Sequence, residues 1–317
     1  MRKVTRRTLW QSAALTSASL LSAPSRPQGS RLSAAAWSGN ARRRRRYVDY
    51  RNGQLHVTST APSSGRADKP AVVCLPMSPR SGRDFDEFAN LLATDRWVHA
   101  PDVPGFGGSD PPPAPPSIDD YAAALIEGMR ALGVGARHSR RIDIVGQHTG
   151  AAIAVEIARQ APQLVRRMVL IGVPLWSSEE ADKLRATFAK PRPYFEDPEF
   201  LAKAWQRDLP SVAAGLSQQR MLLRFTEIMR AGLNSWWGFN AVFDYPMRDR
   251  LSALGTPFLA IVLNEALAKS SREAVRIAKR GSVLEMLDLP GSALDAAGAR
   301  LVAAAREFLD RQDDAVE

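Results

Sequence analysis

The feature that most constrains the fold is the alternation of two hydrophobic patterns from Tyr47 onwards. Short apolar runs rich in β-branched residues alternate with longer segments of helical periodicity, which is typical of βαβ units. The buried strands predicted in this way include residues 71–75, 142–145, 168–171 and 258–263. Such units form a mostly parallel, twisted sheet with helices on both faces, and ligands bind at the carboxyl ends of its strands.

The strand pattern stops between Pro174 and Leu254, where the sequence is helical and rich in aromatic residues. We interpret residues 175–254 as a helical cap inserted into a core of residues 47–174 and 255–317. Most aromatic side chains of the cap are expected to pack inside it. Trp176 and Phe239 are the candidates for lining an apolar substrate pocket.

Two glycine-rich segments follow predicted strands. Gly146-Gln147-His148-Thr149-Gly150 lies between a strand and a helix, and its flanking glycines permit a tight turn that exposes His148 over the sheet edge. The segment 100–109, which reads APDVPGFGGS, follows an earlier strand.

Together the two segments resemble the α/β-hydrolase superfamily, whose epoxide-hydrolase-like and esterase-like branches share the D-x-P-G-x-G-x-S turn. The resemblance covers about residues 47–312. It implies an α/β-hydrolase fold with a helical cap, a small-molecule substrate, and no cofactor or metal. One fold serves many chemistries, so the activity depends on the site residues.

Those residues depart from the family pattern. His148 stands where typical members have Ser, Cys or Asp, and Gly291-Ser292 stands where a Gly-His carries the triad histidine. No histidine follows His148, and the acid position falls at Asn264-Glu265, which makes Glu265 the candidate acid. The residue types exclude an ordinary Ser-His-Asp triad, unless a serine elsewhere substitutes.

Three interpretations of His148 stay open. In the first, the helix N-terminus and the cap favour the neutral ring, whereas Glu265 would favour the protonated ring. The neutral ring then acts as nucleophile or general base on an ester-like or related carbonyl substrate. The fold then implies the backbone N–H groups of Thr149 and Met77 as oxyanion donors. In the second, His148 is the hydrogen-bonding floor of a non-catalytic binding pocket. In the third, it is a structural relic.

The remaining polar candidates receive mostly structural interpretations. Ser78 lies in the loop expected over the site and could donate a hydrogen bond to substrate. Asp102 and Asp110 are expected to anchor their loop through backbone hydrogen bonds. His56 is interpreted as a surface or edge residue, His99 as core-flanking, and Cys74 as a buried, unreactive small hydrophobe.

The net charge of +10 first suggests a nucleic-acid partner, but the positive charge is concentrated at one end. Residues 1–46 hold 11 of the 43 Lys and Arg and no acidic residue, which leaves 32 basic and 33 acidic residues in the remainder. The folded part is therefore close to neutral, and we predict no nucleic-acid partner. The oligomeric state is left open.

Residues 1–46 are predicted to be a basic leader and linker. Thr5-Arg6-Arg7-Thr8-Leu9 resembles a twin-arginine export signal, with cleavage after Ala23 or Ala36, and the alternative is a cytoplasmic protein with a basic tail. The arginine run 42–46 is expected to be a solvated, mobile linker. No run approaches the ~20 apolar residues of a membrane span. The single cysteine excludes an intramolecular disulfide and a cysteine-rich metal site.

Overall fold

The computed structural model of the protein describes residues 42–134, 141–194, 196–197, 199–209, 212 and 216–312. The twin-arginine-like segment and both candidate cleavage sites lie outside these residues. Among the described helices, none combines the length and the hydropathy that a membrane crossing requires.

Eight strands form one sheet, and most neighbours are parallel. The strands are β1 (Arg43–Tyr50), β2 (Gly53–Thr60), β3 (Val72–Leu75), β4 (Val98–Pro101), β5 (Ile142–Gln147), β6 (Val165–Ile171), β7 (Phe258–Asn264) and β8 (Gly281–Pro290). Their order is β1-β2-β4-β3-β5-β6-β7-β8. β2 pairs antiparallel with β1 and β4, and all other pairs are parallel. The predicted mostly parallel sheet is confirmed.

Helices cover both faces of this sheet. They are α1 (Asp86–Leu92), α2 (Ile118–Leu132), α3 (Thr149–Gln160), α4 (Ser178–Phe188), α5 (Phe200–Asp208), α6 (Gln218–Ala231), α7 (Trp237–Asp244), α8 (Met247–Ala253), α9 (Ala268–Ile277), α10 (Ala293–Ala296) and α11 (Gly298–Leu309). The apolar side chains of β6 alternate between the faces: Met168 and Leu170 pack with α2 and α3, while Val169 and Ile171 pack with α1 and α11. This period of two places one hydrophobic layer on each side of the sheet.

The arginine run corrects one prediction. Arg43–Tyr50 is an edge strand that pairs with β2 along its whole length. The prediction of a mobile linker at residues 42–46 is therefore wrong for residues 43–46. Pairing with β2 satisfies the backbone groups on one side of the strand, and the Arg43 guanidinium lies 2.5 Å from the Asp86 carboxylate. Charged side chains suit an edge strand because they discourage pairing with other chains. The hairpin turn at Asn52-Gly53 follows, with Tyr50 opposite Gly53.

Between β6 and β7 the described residues form five α-helices, α4 to α8, and no strand. Trp237, Val242 and Phe243 of α7 share one hydrophobic cluster with α3. This cluster seats the inserted helices on the core beside the carboxyl ends of the strands. The cap boundaries at 175 and 254 stay a prediction.

Candidate active site

His148 occupies the turn between β5 and α3. Its backbone has φ 50° and ψ −112°, and it is the one non-glycine residue with positive φ in the described part of the chain. Backbone strain of this kind persists only where the surroundings hold it, and here His148 N–H donates to the Ile171 carbonyl at 2.9 Å. The tight turn predicted from the two flanking glycines is therefore present.

Gly150 explains why the turn can form at this place. A Cβ on Gly150 would overlap the Leu75 carbonyl oxygen and would lie 2.8 Å from the Pro76 carbonyl oxygen. Only glycine permits α3 to begin so close to the end of β3. The same close approach puts the start of α3 beside the loop that carries Met77.

The structure brings His148 together with Glu265, the candidate acid of the sequence analysis. Nε2 of His148 lies 2.8 Å from Oε2 of Glu265, and the two side chains are 23% and 9% exposed. Glu265 follows β7 and packs against Gly291, where a Cβ would lie 2.6 Å from Oε2. The carboxylate thus fills the space beside the position at which the family carries its triad histidine.

The pairing leaves one nitrogen and one oxygen unused. Nδ1 of His148 has no hydrogen-bond partner among the described residues, and Oε1 of Glu265 is buried without one. When Nε2–H donates to the carboxylate, the lone pair of a neutral ring is at Nδ1. The pair therefore presents a base whose orientation is fixed from its far side.

Two backbone amides lie near the turn as candidate oxyanion donors. Thr149 begins α3, so its N–H has no partner inside the helix. Neither this N–H nor that of Met77 donates a hydrogen bond within the described residues. The helix dipole adds partial positive charge at Thr149.

His148, Thr149 and Glu265 open into a cavity of about 800 Å³ between α4, α7 and α9. Trp176 and Phe239, predicted as pocket residues, are in its wall. Other apolar wall residues, which the sequence did not indicate, come from several elements: Leu175, Leu184, Phe188, Val242, Phe243 and Leu267. Charged side chains surround them: Glu180, Lys183, Arg248, Lys269, Glu273 and Arg276.

The loop residues Met77 and Ser78 are not in this wall. Ser78 is buried against Gly238 of α7, and its hydroxyl has no hydrogen-bond partner among the described residues. The structure therefore places Ser78 between the core and α7, apart from the cavity at His148.

A second histidine–carboxylate pair lies at the antiparallel end of the sheet. Nδ1 of His56 lies 2.9 Å from Oδ2 of Asp102, and Asp102 also accepts hydrogen bonds from the backbone N–H groups of Gly82 and Gly108, each at 2.7 Å. Asp110 accepts from the Gln54 backbone N–H at 2.8 Å. The anchoring roles predicted for both aspartates are confirmed.

Cys74 and His99 are buried, as expected. Burial raises the pKa of the Cys74 thiol, which makes it unreactive. Burial, with a smaller contribution from Arg46, lowers the pKa of His99 to about 4. Nδ1 of His99 lies 2.9 Å from the Ser59 hydroxyl. Within the described residues no three His, Cys, Asp or Glu side chains are grouped as metal ligands.

Comparison with known proteins agrees with this architecture. Residues 70–252 match the family model of the alpha/beta hydrolase fold, and the chain belongs to that family. A 2-hydroxymuconate semialdehyde hydrolase of Pseudomonas sp. is 29% identical over 185 residues, which are 57% of this chain and 61% of that protein. An uncharacterized protein of Mycobacterium tuberculosis is 42% identical over 80 residues, 25% of this chain and 22% of that protein.

The chain thus spans less than two thirds of these relatives. Among solved structures, a thermophilic esterase from Thermogutta terrifontis superposes with a TM-score of 0.63 at 18% identity, covering 85% of this chain and 98% of the esterase. Likeness at that identity concerns the fold. The family and its neighbours support hydrolase activity in general.

Proposed function

We propose that the protein hydrolyses small, apolar ester-like or related carbonyl substrates, with His148 as general base. The observation that carries the proposal is the 2.8 Å contact between His148 and Glu265 at a strained turn that opens into the 800 Å³ cavity. A strained residue paired with a buried carboxylate in a cleft is a pattern of functional sites.

In the proposed step, Nδ1 of His148 removes a proton from water while the water oxygen attacks the substrate carbonyl carbon. Glu265 stabilises the imidazolium that forms, and the N–H group of Thr149, which lies in the cavity wall, donates to the oxyanion. Collapse of the tetrahedral intermediate breaks the bond to the leaving group, which takes the proton from Nδ1. The products are a carboxylic acid and an alcohol, and the ring is neutral again.

Water activation is favoured over direct attack by the ring. Glu265 occupies Nε2, so the acyl group would have to bond to Nδ1, next to the ring's own Cβ and the strained backbone. A water molecule is smaller than an acyl carbon with its substituents and meets less crowding there. Accumulation of an acyl-imidazole would instead identify His148 as a nucleophile.

The substrate class is inferred from the cavity wall and from the relatives. Trp176, Phe239 and their apolar neighbours offer a surface for a hydrocarbon chain. The matched Pseudomonas relative is named as hydrolase of a semialdehyde, and the matched Thermogutta structure is an esterase. Both names denote hydrolases, which is consistent with an ester-like or carbonyl substrate here.

The test is hydrolysis of nitrophenyl acetate and butyrate by the full chain and by His148→Gln. Glutamine keeps a hydrogen-bonding group toward Glu265 but has no basic nitrogen, so we expect kcat/KM to fall about 10²-fold. His56→Gln is the matched control, because His56 also pairs with a carboxylate but is not in the cavity wall. We expect its rate to equal that of the wild type.

One rival function follows from the missing triad histidine, namely a binding protein on the same fold. Equal rates for the wild type and His148→Gln would contradict the proposal. Retained, saturable binding of the ester without turnover would then favour the binding protein.

A further inference from the structure

A second cavity, of about 590 Å³, lies at the opposite end of the sheet from His148. It forms where β5, β6 and β7 begin, next to the end of α11. Among the described residues its wall contains no Asp or Glu, and it contains the following arginines: Arg141, Arg159, Arg166, Arg167, Arg250, Arg280 and Arg311. The wall also contains apolar residues, including Leu254, Pro257 and Phe308. We call this the arginine cavity.

Part of this positive charge has a structural use. Arg166 pairs with the fully buried Asp143 at 2.7 Å, and Arg159 pairs with Glu156 at 2.5 Å. Arg167 donates to the carbonyl groups at the end of α11. These arginines have partners, and they fix the wall of the cavity rather than leave it adaptable.

The positive charges of three other arginines have no close carboxylate partner among the described residues. Arg280 makes no side-chain hydrogen bond or ion pair within the described residues. Arg250 comes no nearer than 3.8 Å to the carboxylates of Asp119 and Glu156, and its Nε is buried without a hydrogen-bond partner. Among the described residues the carboxylate nearest to Arg311 is that of Glu307, also at 3.8 Å, and Arg311 lies over the Phe308 ring. Arg280 and Arg311 are exposed, so the features that point to an anion are the concentration of like charge and the buried, unpartnered Nε of Arg250.

We propose that the arginine cavity binds a small oxyanion of the phosphate class that carries at least two negative charges, held by Arg250, Arg280 and Arg311. Guanidinium groups match the oxygens of phosphate in bidentate geometry. A multiply charged anion suits this wall because several arginines line it and, among the described residues, no acidic residue does. The site does not involve His148 and does not depend on the proposed hydrolysis.

Isothermal titration of the full chain with inorganic pyrophosphate tests this proposal. We expect saturable binding that weakens about tenfold or more in Arg280→Gln/Arg311→Gln, because charge-assisted hydrogen bonds are removed. Arg66→Gln is the control, since the Arg66 side chain is 84% exposed and lies outside the cavity. It should bind like the wild type, and in the absence of pyrophosphate neither variant should have a thermal midpoint below that of the wild type.

Two results would overturn the proposal. One is the absence of saturable binding, or equal binding by the double variant. The other concerns Asp313, Asp314 and Glu317, which follow the cavity residue Gln312 in the sequence. If pyrophosphate binds to the triple variant Asp313→Asn/Asp314→Asn/Glu317→Gln and not to the wild type, the arginines bind these acidic side chains instead of an external anion.

Discussion

Two histidine–carboxylate pairs of this chain have nearly the same separation, 2.8 Å for His148–Glu265 and 2.9 Å for His56–Asp102, and very different surroundings. Asp102 accepts two backbone N–H groups besides its histidine. Glu265 accepts from His148 alone among the described residues and keeps one buried oxygen without a partner. Both oxygens of Asp102 therefore accept hydrogen bonds, whereas only one oxygen of Glu265 does.

The two histidines also differ in backbone conformation, which is regular at His56 and strained at His148. His56 is in the regular strand β2, opposite Tyr47 of β1. His148 is held at φ 50° in a turn, and its side chain opens into the larger cavity. A pair that stabilises the fold thus has regular backbone geometry and a carboxylate with hydrogen bonds to both oxygens. A pair suited to chemistry has strain and incomplete hydrogen bonding, which cost stability.

The largest effect expected from this comparison is on stability. Asp102→Ala leaves three donors without their acceptor in a buried place, and we expect the free energy of unfolding to fall by about 3–5 kcal/mol. Glu265→Ala removes one hydrogen bond to a partly exposed ring, and we expect a loss of about 1 kcal/mol or less. Urea unfolding at pH 7 measures both.

Equal losses in the two variants would contradict the comparison, because hydrogen-bond saturation would then not separate the pairs. Ester hydrolysis should respond in the opposite order. Glu265→Gln keeps an acceptor but loses the charge that stabilises imidazolium, and its kcat/KM should fall about tenfold or more.

Much of this comparison could be predicted from the sequence. The flanking glycines of His148 and the position of Glu265 after a predicted strand are local features whose meeting follows from parallel strands ending at one sheet edge. The saturation of Asp102 is likewise expected for an aspartate in a glycine-rich turn.

The rest depends on contacts between distant segments. The arginine run 42–46 lacks apolar alternation, so only its pairing partner β2 makes residues 43–46 a strand. Phe188 and Leu267 lie in the cavity wall because of the way in which α4 and α9 pack. Local sequence patterns do not predict this packing. Ser78 lies away from the cavity for the same kind of reason, namely its contact with Gly238.

An intermediate effect is expected at His99, whose partner is the neutral Ser59 hydroxyl and which therefore serves as the reference histidine. Its pKa is lowered from 6.5 to about 4, mainly by burial, so the fold favours the neutral ring. This contribution is fully present above about pH 6.5 and is lost as the pH falls towards 4. Between pH 7 and pH 5 it amounts to about 2 kcal/mol of unfolding free energy.

Urea unfolding of the wild type and of His99→Gln at both pH values measures this contribution. Glutamine can keep a hydrogen bond to Ser59 but does not titrate. The variant should therefore lose less stability than the wild type on going from pH 7 to pH 5. The same loss in both proteins would show that other groups cause the acid sensitivity.

The smallest expected effect concerns the cavity beside the functional pair. The Phe239 ring stacks on Phe188 with centroids 5.6 Å apart, and both rings line the cavity wall. Phe239→Ala removes apolar surface that an acyl chain would cover, so kcat/KM for nitrophenyl butyrate should fall about fivefold, roughly 1 kcal/mol. The shorter acetate covers less of that surface and should lose less. Leu222→Ala, at an exposed position of α6 outside the cavity, should leave both rates unchanged. Equal losses for the two esters would mean that Phe239 supports the position of α7, and that the chain of the substrate lies elsewhere in the cavity.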